Sequence, residues 1–257
     1  MYMDLPVLRA LEARNELGIG QYDSIDIFKI LRDRENISII ITKMTGNISG
    51  FFMRKDDDTK LIVINSSKSL GHQYFTAAHE FYHIKYDVGM SGRICPINKY
   101  DEEYQNERDA NMFASHFLMP DTALSYMIQK RTSGKKLNIN DVIFLENYFQ
   151  VSHKVMLIRL KNLGAISDTE AQKMEKGIIK KAMILGYNTD LYKNTEDKGT
   201  IIFSDYAELA KDLFDNQKIS YGKYEELLID GGYENILFGD NENLEGAKDD
   251  FEDSYRF

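Results

Sequence analysis

Between Phe75 and Ile84 the chain reads Phe-Thr-Ala-Ala-His-Glu-Phe-Tyr-His-Ile, which is apolar around most of a helical circumference yet carries two histidines and a glutamate. A helix of this kind has almost no face to give to water, so the fold must cover it on several sides. His79, Glu80 and His83 are then taken inside with it. Burying a carboxylate and two imidazoles without partners is costly, so the interior must hold something that satisfies them.

A metal ion resolves that cost. Residues four apart on a helix lie about 40° apart around its axis, so His79 and His83 project from one face and can reach one ion. Glu80 is rotated by about 100°, close enough to act on a water at the ion without becoming a ligand. This is the zincin arrangement. The same spacing also arises by chance on solvated helix faces, but the apolar neighbours here argue against accident. A catalytic zinc takes three protein ligands and keeps one position open. Glu107 opens a second stripe, Glu107, Ala110, Asn111, Ala114 and Leu118, whose small alanines permit close approach of another helix. Glu107 is the favoured third ligand, and Asp87, Glu103 and Asp109 are its rivals.

The rest of the chain frames that helix. Apolar positions at helical spacing predict helices over 5–16 and 24–34. Three short β-branched runs follow, Ile37–Thr42, Ile48–Met53 and Leu61–Asn65, separated by turn-forming residues. They predict a small antiparallel sheet. Helices over 73–86 and 102–119 come next, and beyond Pro120 the patterns are helical, with a break near Gln150-Val151 and a capping box at Ser167-Asp168-Thr169-Glu170. The expected class is α+β: the sheet packs on helices that carry the His-Glu-x-x-His site, and a mostly helical C-terminal region follows. The expected domains are a metallopeptidase part over 1–125, a helix-turn-helix-like segment over 126–165, a helical region over 166–238 and an acidic tail over 239–257.

Composition limits the setting and the partners. A formal net charge of -9 and a pI near 5.2 give no chain-wide basic footprint, so direct DNA binding is not expected. His153, Lys154, Arg159 and Lys161 could contact phosphates, yet solvated charges on a helical hairpin are the commoner reading. The single cysteine, Cys95, excludes an intramolecular disulfide and suits a reducing compartment. Without a signal-peptide pattern or a span-length apolar run, a cytoplasmic address away from membranes is expected.

The residues Phe75-Thr76-Ala77-Ala78-His79-Glu80-Phe81-Tyr82-His83, followed by Glu107-Arg108-Asp109-Ala110-Asn111-Met112-Phe113-Ala114 and Leu118-Met119-Pro120, resemble the ImmA/IrrE family of zinc-dependent peptidases. The resemblance runs from the N-terminal helices to about Gly164. It implies that Glu107 is the third zinc ligand beside His79 and His83, and that Glu80 is the catalytic base. It implies Zn²⁺ as the cofactor, with Mn²⁺ as a substitute in vitro. It also implies endopeptidase action on a helix-turn-helix repressor of the Xre type, encoded nearby, so that repression is relieved. The alternatives are a non-catalytic regulator of a repressor or of DNA with a structural metal, or a toxin-antitoxin component. Tyr82, Tyr104 and Arg93 are candidates for stabilising an oxyanion, whereas His116, about half a turn around the axis from Glu107, is expected to face elsewhere and is left out of the site. The strand Leu61–Asn65 is a candidate edge for an extended substrate.

Overall fold

The computed structural model describes residues 4–55, 59–87, 92–96, 105–233 and Leu237, and of 92–96 it describes the backbone. Two compact units are present, Met1–Phe203 and Ser204–Phe257.

The first unit is an α+β structure built on one sheet. Its strands are β1 (Ile37–Thr42), β2 (Ile48–Arg54), β3 (Lys60–Asn65), β4 (Gly92–Pro96) and β5 (Ile201–Phe203), in the order β4-β2-β3-β1-β5. The sheet is mixed, which corrects the antiparallel expectation. β2 and β3 form the expected hairpin, but β1 pairs in parallel with β3, from Ile37 opposite Lys60 to Thr42 opposite Asn65. The physical reason lies in burial. Ile62, Val63, Ile64 and Asn65 are buried in succession, on both faces, and such a strand needs neighbours on either side. β2, with Gly50 and the half-exposed Met53, is less suited to that place. The crossover from β1 to β2 is held by the Asn65 carboxamide. Its nitrogen donates to the Met44 and Ile48 carbonyls, and its oxygen accepts from the Met44 and Ser67 amides.

Two strands lay hidden in the sequence. β4 falls in the loop after the motif helix, and β5 is three residues long, antiparallel to β1 with Phe203 opposite Ile39. With β1 on one side and β2 on the other, β3 offers no edge. The expectation that a substrate adds at Leu61–Asn65 is therefore overturned; the sheet's outer strands are β4 and β5.

The helices of this unit are α1 (Leu5–Glu16), α2 (Ile27–Glu35), α3 (Leu70–Tyr86), α4 (Gln105–Leu118), α5 (Asp121–Thr132), α6 (Ile139–Phe149), α7 (His153–Asn162), α8 (Asp168–Met174) and α9 (Ile178–Ile184). α3 is the motif helix, and every residue from Phe75 to Ile84 is buried, as its apolar circumference requires. The sheet covers one side and α4 the other. Ala110 and Ala114 are fully buried and let α4 approach, while Phe113 and Phe117 stack on each other and meet Phe81 at 5.9 and 5.7 Å between ring centroids. Arg14 of α1 is 2% exposed and donates to the carbonyls of Phe117, Gly20 and Asp23, so one guanidinium ties α1 to the end of α4. Burial, opposed by Asp23, lowers its pKa to about 10.

The start of α3 is anchored by chain from far away in sequence. Leu70 donates its amide to the Lys193 carbonyl, and the Gln73 carboxamide donates to the Lys68 carbonyl and the Thr195 hydroxyl. Gly71 lies so close to the α6–α7 turn that a Cβ there would come within 2.6 Å of the Ser152 amide nitrogen. That turn has Gln150 in the left-handed region at φ 56°, where glycine is commoner, and it forms at the expected break. The Ser167 capping box also forms.

The second unit contains α10 (Tyr206–Asp215) and α11 (Tyr221–Asp230), joined through ring contacts of Phe214 with Tyr221 and Tyr224. The acidic stretch 239–257 lies outside the described residues. Among those described, no helix is long and apolar enough to cross a membrane.

Candidate metal centre

His79, His83 and Glu107 each offer a ligand atom, and these atoms lie within 4.8 Å of one another. His79 is 7% exposed, Glu107 8% and His83 0%, so the group is almost withdrawn from water. The two histidines project from one face of α3, and Glu107 enters from the first turn of α4.

The hydrogen-bond geometry determines what this group can hold. His79 Nδ1 donates to Asn111 Oδ1 at 3.1 Å, and His83 Nδ1 donates to Asp87 Oδ2 at 2.7 Å. With the hydrogens on Nδ1, both Nε2 atoms present lone pairs. These atoms are 3.2 Å apart and face the two Glu107 oxygens at 3.2 and 3.4 Å. Two imidazole lone pairs and a carboxylate directed at one point repel one another unless a cation lies between them. The titration behaviour of the protein groups follows from the same geometry. Burial pushes the His79 imidazole down, but its bond to Glu107 and the charges of Glu80 and Glu107 outweigh it, and the net shift is upward. His83 is pushed down, by burial first and then by His79. One proton can be shared here, whereas a metal ion satisfies all three groups at once. Two histidine nitrogens and a carboxylate oxygen are the donor types zinc takes in open sites, so the residues present fit such an ion.

Glu80 is fully buried on α3 and lies on the side of the sheet. Gly50 of β2 faces it: a Cβ at Gly50 would lie 2.7 Å from Thr76 Cγ2, 2.8 Å from the Val63 carbonyl oxygen and 3.7 Å from Glu80 Oε1. Only glycine lets the strand come this close to α3. Two residues on, Phe52 stacks on the His83 ring at 5.8 Å with 12° between the planes, which fixes that imidazole from the sheet side.

The other candidates are placed as follows. Asp87 meets the far nitrogen of His83, on the opposite edge of the ring from Glu107. Asp109 accepts from Gln105 at the helix surface. Glu103 and Tyr104 lie outside the described residues, as do the side chains of Arg93 and Cys95. The Tyr82 hydroxyl accepts from Arg9 at 2.7 Å, and His116 donates to the Met112 carbonyl beside Asp121. Of the residues considered for phosphate contact, Lys154 is exposed and the other three are paired within the protein. Arg159 is 3% exposed and bonded to the Met119 carbonyl and Asp121, His153 to Glu146, and Lys161 to Asp168. Gly50, Phe52 and Arg54 were not singled out from sequence, because only the register of β2 against α3 shows their proximity. Asn111 was visible on the Glu107 stripe, but nothing in that stripe paired it with His79.

Among solved structures, a Mycobacterium tuberculosis transcriptional regulator is similar, at 22% identity and a TM-score of 0.42. The similarity covers 62% of this chain and 47% of that one, so the chain spans under half of that protein's length. No curated protein matches the chain. The profile of the M78 peptidases, described as the IrrE N-terminal-like domain, matches residues 32–161. The matched segment covers half of the chain and includes β1 to β3, the motif helix and the Glu107 helix. On this match the chain belongs to the M78 peptidase family, with an IrrE N-terminal-like domain.

Proposed function

We propose that the chain is a zinc-dependent endopeptidase in which His79, His83 and Glu107 hold the ion and Glu80 is the general base, and that its substrate is a helix-turn-helix repressor of the Xre type. The carrying observation is the convergence of two imidazole lone pairs and one carboxylate in a nearly dry site, with a second carboxylate, Glu80, on the same helix. A divalent cation bound there supplies Lewis acidity toward a water and a scissile carbonyl. Glu80 receives the proton of the attacking water and returns it to the leaving amine. Glu107 opposes the charge of the ion. Asn111 and Asp87 hold the Nδ1 protons, and Phe52 keeps the His83 ring in plane.

The outer strand β4 follows the motif helix in the chain and gives an extended peptide a backbone to pair with. The repressor is inferred from the family resemblance, and the cytoplasmic location from composition. The test is to incubate the purified protein with the repressor encoded beside it, in Zn²⁺ or Mn²⁺, and to look for one discrete product. The expected result is cleavage by the parent and none by Glu80→Gln. No cleavage under any metal would give preference to a binding role.

A further inference from the structure

We propose that Asp87 and Asn111 are positioning residues of the metal centre, and that Arg54 holds Asp87 in place from the sheet. This inference rests on the metal-dependent reading above.

An imidazole can bind a metal through either nitrogen, and the hydrogen bond made by one nitrogen decides which is left for the ion. Here both choices are made by neighbours. Asn111 stands one turn after Glu107 on α4, so a single helix supplies a ligand and also the group that orients His79. Asp87 stands one turn after His83, at the C-terminal cap of α3, with its side chain 8% exposed. The two outer partners differ in kind. Asn111 is a neutral amide, whereas Asp87 is a carboxylate that increases the electron density His83 can give through Nε2.

Asp87 lies at a helix end, where the chain would otherwise be loose. Arg54, the last residue of β2, removes that freedom. Its guanidinium donates to the Ile84 carbonyl at 2.7 Å and to the Asp87 carbonyl at 3.0 Å, which satisfies two carbonyls of the last turn and fixes the backbone that carries the Asp87 side chain. A connected path therefore runs from Arg54 through Asp87 to His83 Nδ1, with Nε2 at its end. On this assignment Asp87, a rival of Glu107 for the ion, acts on the ligand from behind.

The test measures zinc affinity by competition with a chromogenic chelator and records the visible spectrum of the cobalt-substituted protein. Asp87→Ala is expected to weaken zinc binding by about 10–100-fold and Asn111→Ala by about 10-fold. Arg54→Met should act in the direction of Asp87→Ala but less strongly. The cobalt absorption should change in intensity and position in the first two variants, which a purely structural role would not produce. Asp87→Asn, which keeps an acceptor, should recover part of the loss. Zinc affinities of Asp87→Ala and Asn111→Ala within twofold of the parent, with unchanged cobalt spectra, would overturn the proposal. If Asp87→Ala is unfolded by circular dichroism, Asp87→Asn and Asn111→Ala decide by the same criterion. A parent protein that binds neither ion fails at a different readout and removes the metal-dependent reading itself.

Discussion

Two buried clusters in the first unit are made from the same kinds of side chain, and they are built on opposite principles. At the metal centre, two histidines direct their Nε2 atoms at the two oxygens of one carboxylate. At the α6–α7 hairpin, Glu146 is also fully buried, but its carboxylate is surrounded by donors. His153 Nδ1 meets one oxygen at 2.5 Å and the Tyr192 hydroxyl donates to the other at 2.9 Å. His153 Nε2 completes the set on the Met174 carbonyl, and Asn147 donates to the Tyr192 hydroxyl. Burial and the neighbouring Glu146 charge push the Tyr192 phenol strongly upward, which keeps it a donor. The second cluster is complete as it stands and ties the hairpin to the segment that anchors α3. The first brings two imidazole nitrogens and a carboxylate to one point, a donor set that could hold a metal ion, and that convergence marks it as a candidate site.

The largest effects should fall on the candidate metal centre. Glu80→Gln should lower cleavage of the proposed repressor substrate by about 10²–10⁴-fold, the range for removing a general base, with the zinc content of the purified protein unchanged. A fully active variant would remove Glu80 from the mechanism. Glu107→Ala should reduce zinc to well below one equivalent by elemental analysis. It should change the stability of the metal-free protein by no more than about 1 kcal/mol, because it also removes repulsion among the converging acceptors. Retained stoichiometry would show that another group completes the ion's shell.

Glu146→Ala should behave in the opposite way. The half-buried His153 and Tyr192 would lose their acceptor, which costs about 1–3 kcal/mol, read as a lower denaturation midpoint at unchanged slope. Zinc stoichiometry should stay at the parent value under native conditions. A stable Glu146→Ala protein, or one that loses its zinc while still folded, would break the contrast between the two clusters. A further test targets the contact between the hairpin and the motif helix. Gly71→Ala places a methyl against the Ser152 and Val151 backbone, which cannot rotate away, and should cost about 1–3 kcal/mol.

The two clusters also differ in how far sequence alone exposes them. His79, Glu80 and His83 lie on one helix, so helical periodicity places them without any knowledge of tertiary structure. Glu107 follows because a carboxylate on an alanine-lined apolar stripe demands a reason. The break at Gln150 and the capping box at Ser167 are likewise local signals. What stayed hidden depends on pairings across distance. The parallel match of β1 with β3 leaves no trace in either strand's alternation, β5 is too short to show any, and Glu146 has the spacing of an ordinary surface residue until Tyr192 returns to meet it. Asp87 was visible as an acid one turn after His83, but which edge of the imidazole it meets depends on how Arg54 fixes the helix end.

The smallest predicted effect concerns a third histidine on α3, His72, which belongs to neither cluster. Its Nε2 pairs with the Ser49 hydroxyl at 2.9 Å, and burial, followed by the charges of Lys68 and Lys154, lowers its pKa from 6.5 to about 4. The unfolded chain therefore takes up a proton near pH 6.5, while the folded chain resists until about pH 4. In that window the unfolded state binds more protons, so stability rises with pH. Acidification from pH 7 toward pH 4 should remove about 1–3 kcal/mol through this residue, scaled down for its partial exposure. Other carboxylates titrate in the same range, so the measurement is the difference in unfolding free energy between the parent and His72→Gln at each pH. That difference should shrink as the pH falls through 6.5 and level off near 4. A difference constant across the window would show that burial does not keep His72 neutral.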